Sequence, residues 1–168
     1  PTLSPMTEPV SPSDGLAVLH LFCKISPSSQ GPAIRSAIAG AREAGNQVVT
    51  AALLGHKADI GFMILGRDLW QLRSLQTALT SAGLEIVDSF VSLTEVSEYA
   101  TGLPEAMKET RLRPQLPPEG KPAFCFYPMS KRRGEKDNWF TLPADERSAL
   151  MHEHGTSGRA FAGRILQV

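Results

Sequence analysis

Tyr127, Lys131 and His154 are the residues of this sequence whose types and spacing could do chemistry. They lie in the stretch 124–167, which holds two of the four histidines and the densest basic cluster, Lys131-Arg132-Arg133. A phenol at position 127 can donate one electron or act as a base. A lysine four residues on, across Pro128, can pair with a carboxylate or deliver a proton. Both could face a pocket at a strand's end; the alternative is an interface tyrosine beside a solvated basic loop, which is the stronger reading of these two residues alone. His154 comes four residues after Leu150 and shares its helical face. It also sits at a helix C-terminus, where orphan carbonyls favour positive charge. An imidazole there can ligate a metal, although position alone favours a helix-capping role. His152 points elsewhere, so the two histidines are not a chelating pair. The basic cluster suits a ligand rich in carboxylates or phosphates. Nucleic acid fits less well, because nearby aromatics are few and the net charge is zero.

The elements that must position these residues come from an ordinary globular composition. The 168 residues, 42% hydrophobic and 20% charged, suit one compact domain or two small halves sharing a core. With Lys+Arg 17 against Asp+Glu 17, no global excess attracts a nucleic acid or an acidic membrane. Cys23 and Cys125 lie in apolar runs and read as buried free thiols of a reducing compartment. No Cys/His spacing resembles a zinc site. No apolar run reaches the ~20 residues of a membrane span. The start lacks the basic and apolar regions of a signal peptide, but it opens on Pro rather than Met, so an upstream segment could have been removed. Gly155, Gly158 and Gly163 form no dinucleotide fingerprint.

Residues 1–15, rich in Pro, Ser and Thr, read as a flexible tail. A strand is predicted over 16–24, apolar at nearly every position and therefore covered on both faces; His20 within it reads as a satisfied core or edge histidine. A turn-rich loop over 26–32 leads to a helix over 33–44, stopped by Gly45. Strands over 48–54 and 58–65 follow. Leu69, Leu72, Leu75 and Leu79 stripe a helix over 68–82, with Gly83 as its stop. A strand over 84–93 and the start of a short helix at 94–99 complete this half. The order is that of a split βαβ, ferredoxin-like unit spanning 16–100, with helices on one face of an antiparallel sheet and the other face in need of a partner.

Residues 101–122 carry Gly102, Pro104, Pro114, Pro117, Pro118, Gly120 and Pro122, and read as a linker that holds Arg111 and Arg113. A second unit begins at 123, with a strand over 123–127 ended by Pro128. A polar basic loop over 130–138 comes next. A helix opens at Pro143, with Asp145 and Glu146 at its positive end, and closes at His154 with Gly155 as cap. A strand runs from about Arg159 to Val168, where the sequence stops on an apolar run. The expectation is the front part of a longer polypeptide, with the C-terminal half, 123–168, incomplete.

Tyr127-Pro128-Met129-Ser130-Lys131-Arg132-Arg133, Asn138-Trp139-Phe140, Leu142-Pro143, Glu146-Arg147, Glu153-His154-Gly155, Gly158-Arg159, Ala162-Gly163-Arg164 and Gln167 together resemble the chlorite dismutase family, and within it the coproheme decarboxylase branch. The likeness is dense over 123–168; before residue 100 it extends only to the fold pattern. The resemblance implies an α+β fold in which two ferredoxin-like repeats pack sheet to sheet as a dimeric α/β barrel, usually in a homopentameric ring, with the porphyrin in the C-terminal half. It matches His154 to the proximal iron ligand and Tyr127 to the tyrosine whose radical attacks the substrate propionates. Lys131 matches the lysine that assists decarboxylation. Met129 falls in the porphyrin-binding segment. Gln167 stands at the distal position where chlorite-decomposing members carry arginine, and Arg113 falls near a propionate-binding arginine. No histidine lies between His56 and His152, so a tyrosine-only version fits better than one with a distal histidine base.

The activity implied is peroxide-dependent oxidative decarboxylation of Fe-coproporphyrin III (coproheme) to haem b. The resemblance further implies a cytoplasmic protein in transient contact with coproporphyrin ferrochelatase. Composition and pattern give no sign of nucleic acid or of a membrane span. Two other readings stand beside this one: a chlorite dismutase or peroxidase on the same scaffold, against which Gln167 argues, and a haem-holding barrel without turnover.

Overall fold

The computed structural model describes residues 8–100 and 102–166. The described residues fall into two compact units, one made of those up to 96 together with 104–117, the other of those between 97 and 103 together with those from 118 on.

The first unit is built from strand β1 (Ala17–Lys24), helix α1 (Gly31–Glu43), strands β2 (Gln47–Ala52) and β3 (Ile60–Gly66), helix α2 (Leu69–Ser81) and strand β4 (Glu85–Leu93). The strands form one antiparallel sheet in the order β2-β3-β1-β4, which is the ferredoxin-like order expected from the sequence. Alternation along β1 puts Ala17, Leu19, Leu21 and Cys23 on one face, where they pack with Phe62, Ile64 and Val48. The α2 leucines Leu72, Leu75 and Leu79 close that core, and Ile34, Ala37, Ile38 and Ala41 of α1 pack against it. Deep burial of this many aliphatic side chains is what holds the sheet and both helices together.

The opposite face is also buried at its centre. Val18 pairs with Leu65 and His20 with Met63, and all four are less than a tenth exposed. This is why β1 reads as apolar at nearly every position. Burial pulls the His20 imidazole below its ordinary value and raises the Cys23 thiol to about 11.

Local chemistry fixes the ends of these elements. The Asp68 carboxylate caps α2 by accepting the Trp70 N–H at 2.9 Å. Gly83 turns the chain into β4 at φ +88°, and a Cβ there would meet the Ser28 carbonyl oxygen at 2.5 Å, so both conformation and space require glycine. Residues 8–15 run against the same unit: Val10 donates to Asp68 at 3.2 Å and accepts from the Leu69 N–H at 2.9 Å.

The stretch 101–122, read as a linker, contains helix α3 (Glu105–Leu112). The prolines flank this helix rather than interrupt it, with Pro104 at its N-cap and Pro114 just past its end. The Gln47 side chain ties the following residues to β2, donating to the Pro114 carbonyl at 2.8 Å and accepting from the Leu116 N–H at 2.6 Å.

The second unit departs most from expectation. No strand forms at 123–127 or beyond Arg159 among its described residues. A strand without a laddered neighbour leaves its N–H and C=O groups unpaired, and no neighbouring strand lies within these residues. The unit instead consists of two 3-10 turns (Glu98–Ala100 and Trp139–Thr141), an irregular segment, a small hairpin and helix α4 (Ala144–Arg159). Helix α4 runs through Gly155, which was expected to end it, and on through Gly158 to Arg159. Glycine costs a helix about 1 kcal/mol without forbidding it. The helix stops at Arg159 with Ala160 as its C-cap, and Gly163, at φ +78°, lies in the turn that follows.

Candidate functional site

The basic cluster 131–133 forms one arm of a hairpin. Arg133 bridges Asn138 in antiparallel fashion, the Gly134 N–H donates to the Asp137 carbonyl at 3.0 Å, and the Trp139 N–H donates to the Arg132 carbonyl at 2.9 Å. The Asn138 side chain then caps the 3-10 turn by accepting the Phe140 N–H at 3.0 Å. A Gly-led polar loop between two arms is a hairpin signal, and it sets cations opposite aromatics. Lys131 Nζ lies 4.0 Å from the centroid of the Trp139 ring, and the Arg133 guanidinium 4.2 Å from that of Phe140. Both distances fall within cation–π range. Arg132 pairs with Asp137 at 3.5 Å, an exposed pair of little energetic weight.

Lys131 also reaches α4, with Nζ 3.6 Å from Met151 Sδ. Met151 and His154 are three residues apart on that helix and so lie on neighbouring parts of one face. The His154 imidazole is exposed, and no hydrogen bond or ion pair holds its ring among the described residues. Beside the hairpin an open cleft of about 470 Å³ is lined by Lys131, Lys136, Asp137, Trp139 and Leu142. An ammonium fixed at such a rim, with exposed imidazole and phenol groups on the same unit, can bind a carboxylate, ligate a metal and pass an electron.

The structure brings Lys131 into contact with α4, the helix that bears His154. Tyr127 and Met129 are 64% and 69% exposed on the irregular segment, with no side-chain hydrogen bond, ion pair or ring contact among the described residues. Arg113 belongs to the other unit. It caps α3 through its N–H to the Glu109 carbonyl at 2.8 Å, its guanidinium pairs with the Glu109 carboxylate, and its Nε is buried without a hydrogen-bond partner. Gln167 lies outside the described residues. Sequence reasoning assigned no role to Trp139 or Met151. The signal for Trp139 was the Gly134–Asn138 turn, which folds it back over the basic run; Met151 had no comparable signal, since its contact depends on how α4 packs on the hairpin.

A family model described as chlorite dismutase matches residues 31–168. Among curated proteins the chain is 39% identical to the coproheme decarboxylase of Staphylococcus carnosus (strain TM300), over 68% of this chain and 49% of that one. The chain thus spans about half the length of that relative. Among solved structures it is similar to a heme-binding protein from Thermus thermophilus, with 31% identity and a TM-score of 0.74, covering 89% of this chain and 68% of that one. A mutant chlorite dismutase from Candidatus Nitrospira defluvii shares the fold at 17% identity and a TM-score of 0.57, covering 89% and 68% of the two chains. The ferredoxin-like sheet, the 31–168 match and the dense residue likeness after 123 agree: the chain belongs to the chlorite dismutase family.

Proposed function

We propose that the protein of which this chain is a part performs the peroxide-dependent oxidative decarboxylation of coproheme to haem b, an oxidoreductase step of haem biosynthesis. The observation that carries this is the Lys131 ammonium held between Trp139 and Met151, on the unit that also exposes the Tyr127 phenol and the His154 imidazole. The identity to the Staphylococcus carnosus enzyme supports it.

The donor set fits an iron porphyrin that bears propionates. His154, whose ring carries no hydrogen bond or ion pair among the described residues, would hold the iron. Lys131 offers charge to a carboxylate, whereas a propionate role for Arg113 rests on the family resemblance alone. Exposed Met129 and Tyr127 offer apolar and aromatic surface to a macrocycle. When bound, coproheme supplies both the iron at which peroxide is reduced and the propionates that are oxidised. Each turn converts one propionate, one peroxide and one proton into a vinyl group, carbon dioxide and two waters.

In this reading Tyr127 relays the oxidising equivalent, giving up an electron with its phenolic proton and recovering both from the propionate side chain. Lys131 holds that propionate by charge and manages the proton. The family resemblance matches Gln167 to the position where chlorite-decomposing members carry arginine, and a glutamine there favours decarboxylation over chlorite chemistry. A homopentameric assembly, a cytoplasmic setting and a transient contact with coproporphyrin ferrochelatase complete the proposal and rest on the family resemblance.

The test is Tyr127→Phe in the full-length protein. Coproheme binding is expected to survive and carboxyl loss to stop. Normal turnover by this variant contradicts the radical role.

A further inference from the structure

Lys131 is the one cation of the basic cluster that meets both an aromatic face and a second element. Its Nζ lies 4.0 Å from the Trp139 ring centroid and 3.6 Å from Met151 Sδ on α4. Arg132, by contrast, faces Asp137 at 3.5 Å, and Arg133 lies over Phe140. A lysine on an exposed hairpin is ordinarily a hydrated point charge that samples many rotamers. An indole face on one side and a thioether on the other restrict that freedom. Neither partner neutralises the charge as a carboxylate would, so the ammonium stays available to a ligand carboxylate at the cleft rim.

We infer that Trp139 is the positioning residue of Lys131: its ring holds the ammonium in place and aims it at the cleft, so that the carboxylate chemistry assigned to Lys131 depends on this aromatic face. The inference rests on the reading of Lys131 given above and adds to it a residue that acts through the lysine. Two features separate it from ordinary packing. The ring quadrupole attracts a cation, whereas an aliphatic side chain of similar bulk does not. And the hairpin is held at this point by backbone, through the Trp139 N–H to the Arg132 carbonyl at 2.9 Å, so a substitution of the side chain leaves that bond in place.

The experiment uses the full-length protein and the variants Trp139→Phe and Trp139→Leu. Trace acylation with acetic anhydride near neutral pH, read by mass spectrometry, gives the rate at Lys131 relative to Lys136, an exposed lysine of the same hairpin that serves as internal control. The indole face covers one side of Nζ, so a lysine held against it meets the reagent less often and reacts slowly. Lys131 is expected to acylate about two- to five-fold faster in Trp139→Leu than in the wild type, the loss of held population that a surface cation–π contact allows. Trp139→Phe should stay near wild type, and Lys136 should not change. Carboxyl loss from coproheme, measured in the same variants, should slow in Trp139→Leu when Lys131 is present and show no further slowing in a Lys131→Ala background. Equal Lys131 acylation in wild type and Trp139→Leu overturns the inference. So does a Trp139→Leu effect on carboxyl loss that persists undiminished in the Lys131→Ala background. The acylation contrast is read without substrate. A wild-type protein that shows the contrast yet releases no carboxyl groups therefore refutes the decarboxylase reading, and with it the proposed purpose of the contact, while one that decarboxylates without the contrast refutes only the role of Trp139.

Discussion

Lys131 of the hairpin reaches Met151 of α4, with 3.6 Å between Nζ and Sδ. The contact spans twenty residues of sequence and joins the basic cluster to the helix that carries His154 one turn further on. A cation for carboxylates and an imidazole for iron are thereby mounted on one unit, although neither the hairpin nor the helix carries both.

His154 is exposed and its ring is unbonded among the described residues, so its replacement removes little packing. His154→Ala should keep the far-ultraviolet circular dichroism of the wild type, with stability within about 0.5 kcal/mol, the usual range for surface substitutions. Added coproheme should lose its protein-bound Soret band. An unchanged Soret spectrum would remove His154 from iron ligation.

The turn at Gly83 gives a prediction that concerns the fold alone. Its φ of +88° is left-handed, and an added Cβ would meet the Ser28 carbonyl oxygen at 2.5 Å. Gly83→Ala should destabilise the protein by roughly 1–3 kcal/mol, through strain and displacement of the 26–30 loop. Denaturant titration checks this, and a midpoint equal to wild type would contradict the tight approach of that loop.

His20 makes stability depend on pH. Burial lowers its folded pKa below the ordinary 6.5. Above pH 6.5 the imidazole is neutral in both folded and unfolded chains. As pH falls through that value, the unfolded chain takes up a proton that the folded one refuses, so stability drops until the lowered folded pKa is passed. The contribution cannot exceed about 1.4 kcal/mol per pH unit for one proton. Denaturant titrations at pH 7.5 and 5.5 should show a steeper loss in wild type than in His20→Asn. Comparing slopes removes the destabilisation that the substitution itself causes, and equal slopes would contradict a buried neutral imidazole.

The two thiols should behave differently. Cys23 is buried in the core with its pKa raised to about 11, whereas Cys125 is exposed. Thiol reagents need an accessible thiolate, so one equivalent should react quickly in the native protein, at Cys125, and the second only on unfolding. Peptide mapping after a brief alkylation checks the order; comparable labelling at both positions would contradict the packing of β1. The sequence led to two buried thiols. Cys125 differs because the segment around it is not a strand, so its apolar run has no sheet to face.

That contrast shows where legibility ended. The first unit could be read because its signals are local and redundant. Leu72, Leu75 and Leu79 recur at helical spacing and are the residues α2 buries, while β1 is apolar on both faces and both faces are covered. The second unit could be read for chemistry better than for shape. Phe124, Phe126 and Tyr127 carry a strand-like composition, but a strand exists only when another ladders with it. Arg113 was legible as a cation. Its pairing with Glu109 was not, because a prolyl-rich stretch hid the helix that places the two residues four apart.

The most direct measurement loads the full-length protein with coproheme, adds peroxide in small steps and follows the porphyrin mass alongside the Soret band. Two successive carboxyl losses ending at haem b are the expected result. A bound porphyrin that bleaches with all its carboxyls intact would contradict the decarboxylase assignment and leave a haem-holding member of the family with a different reaction.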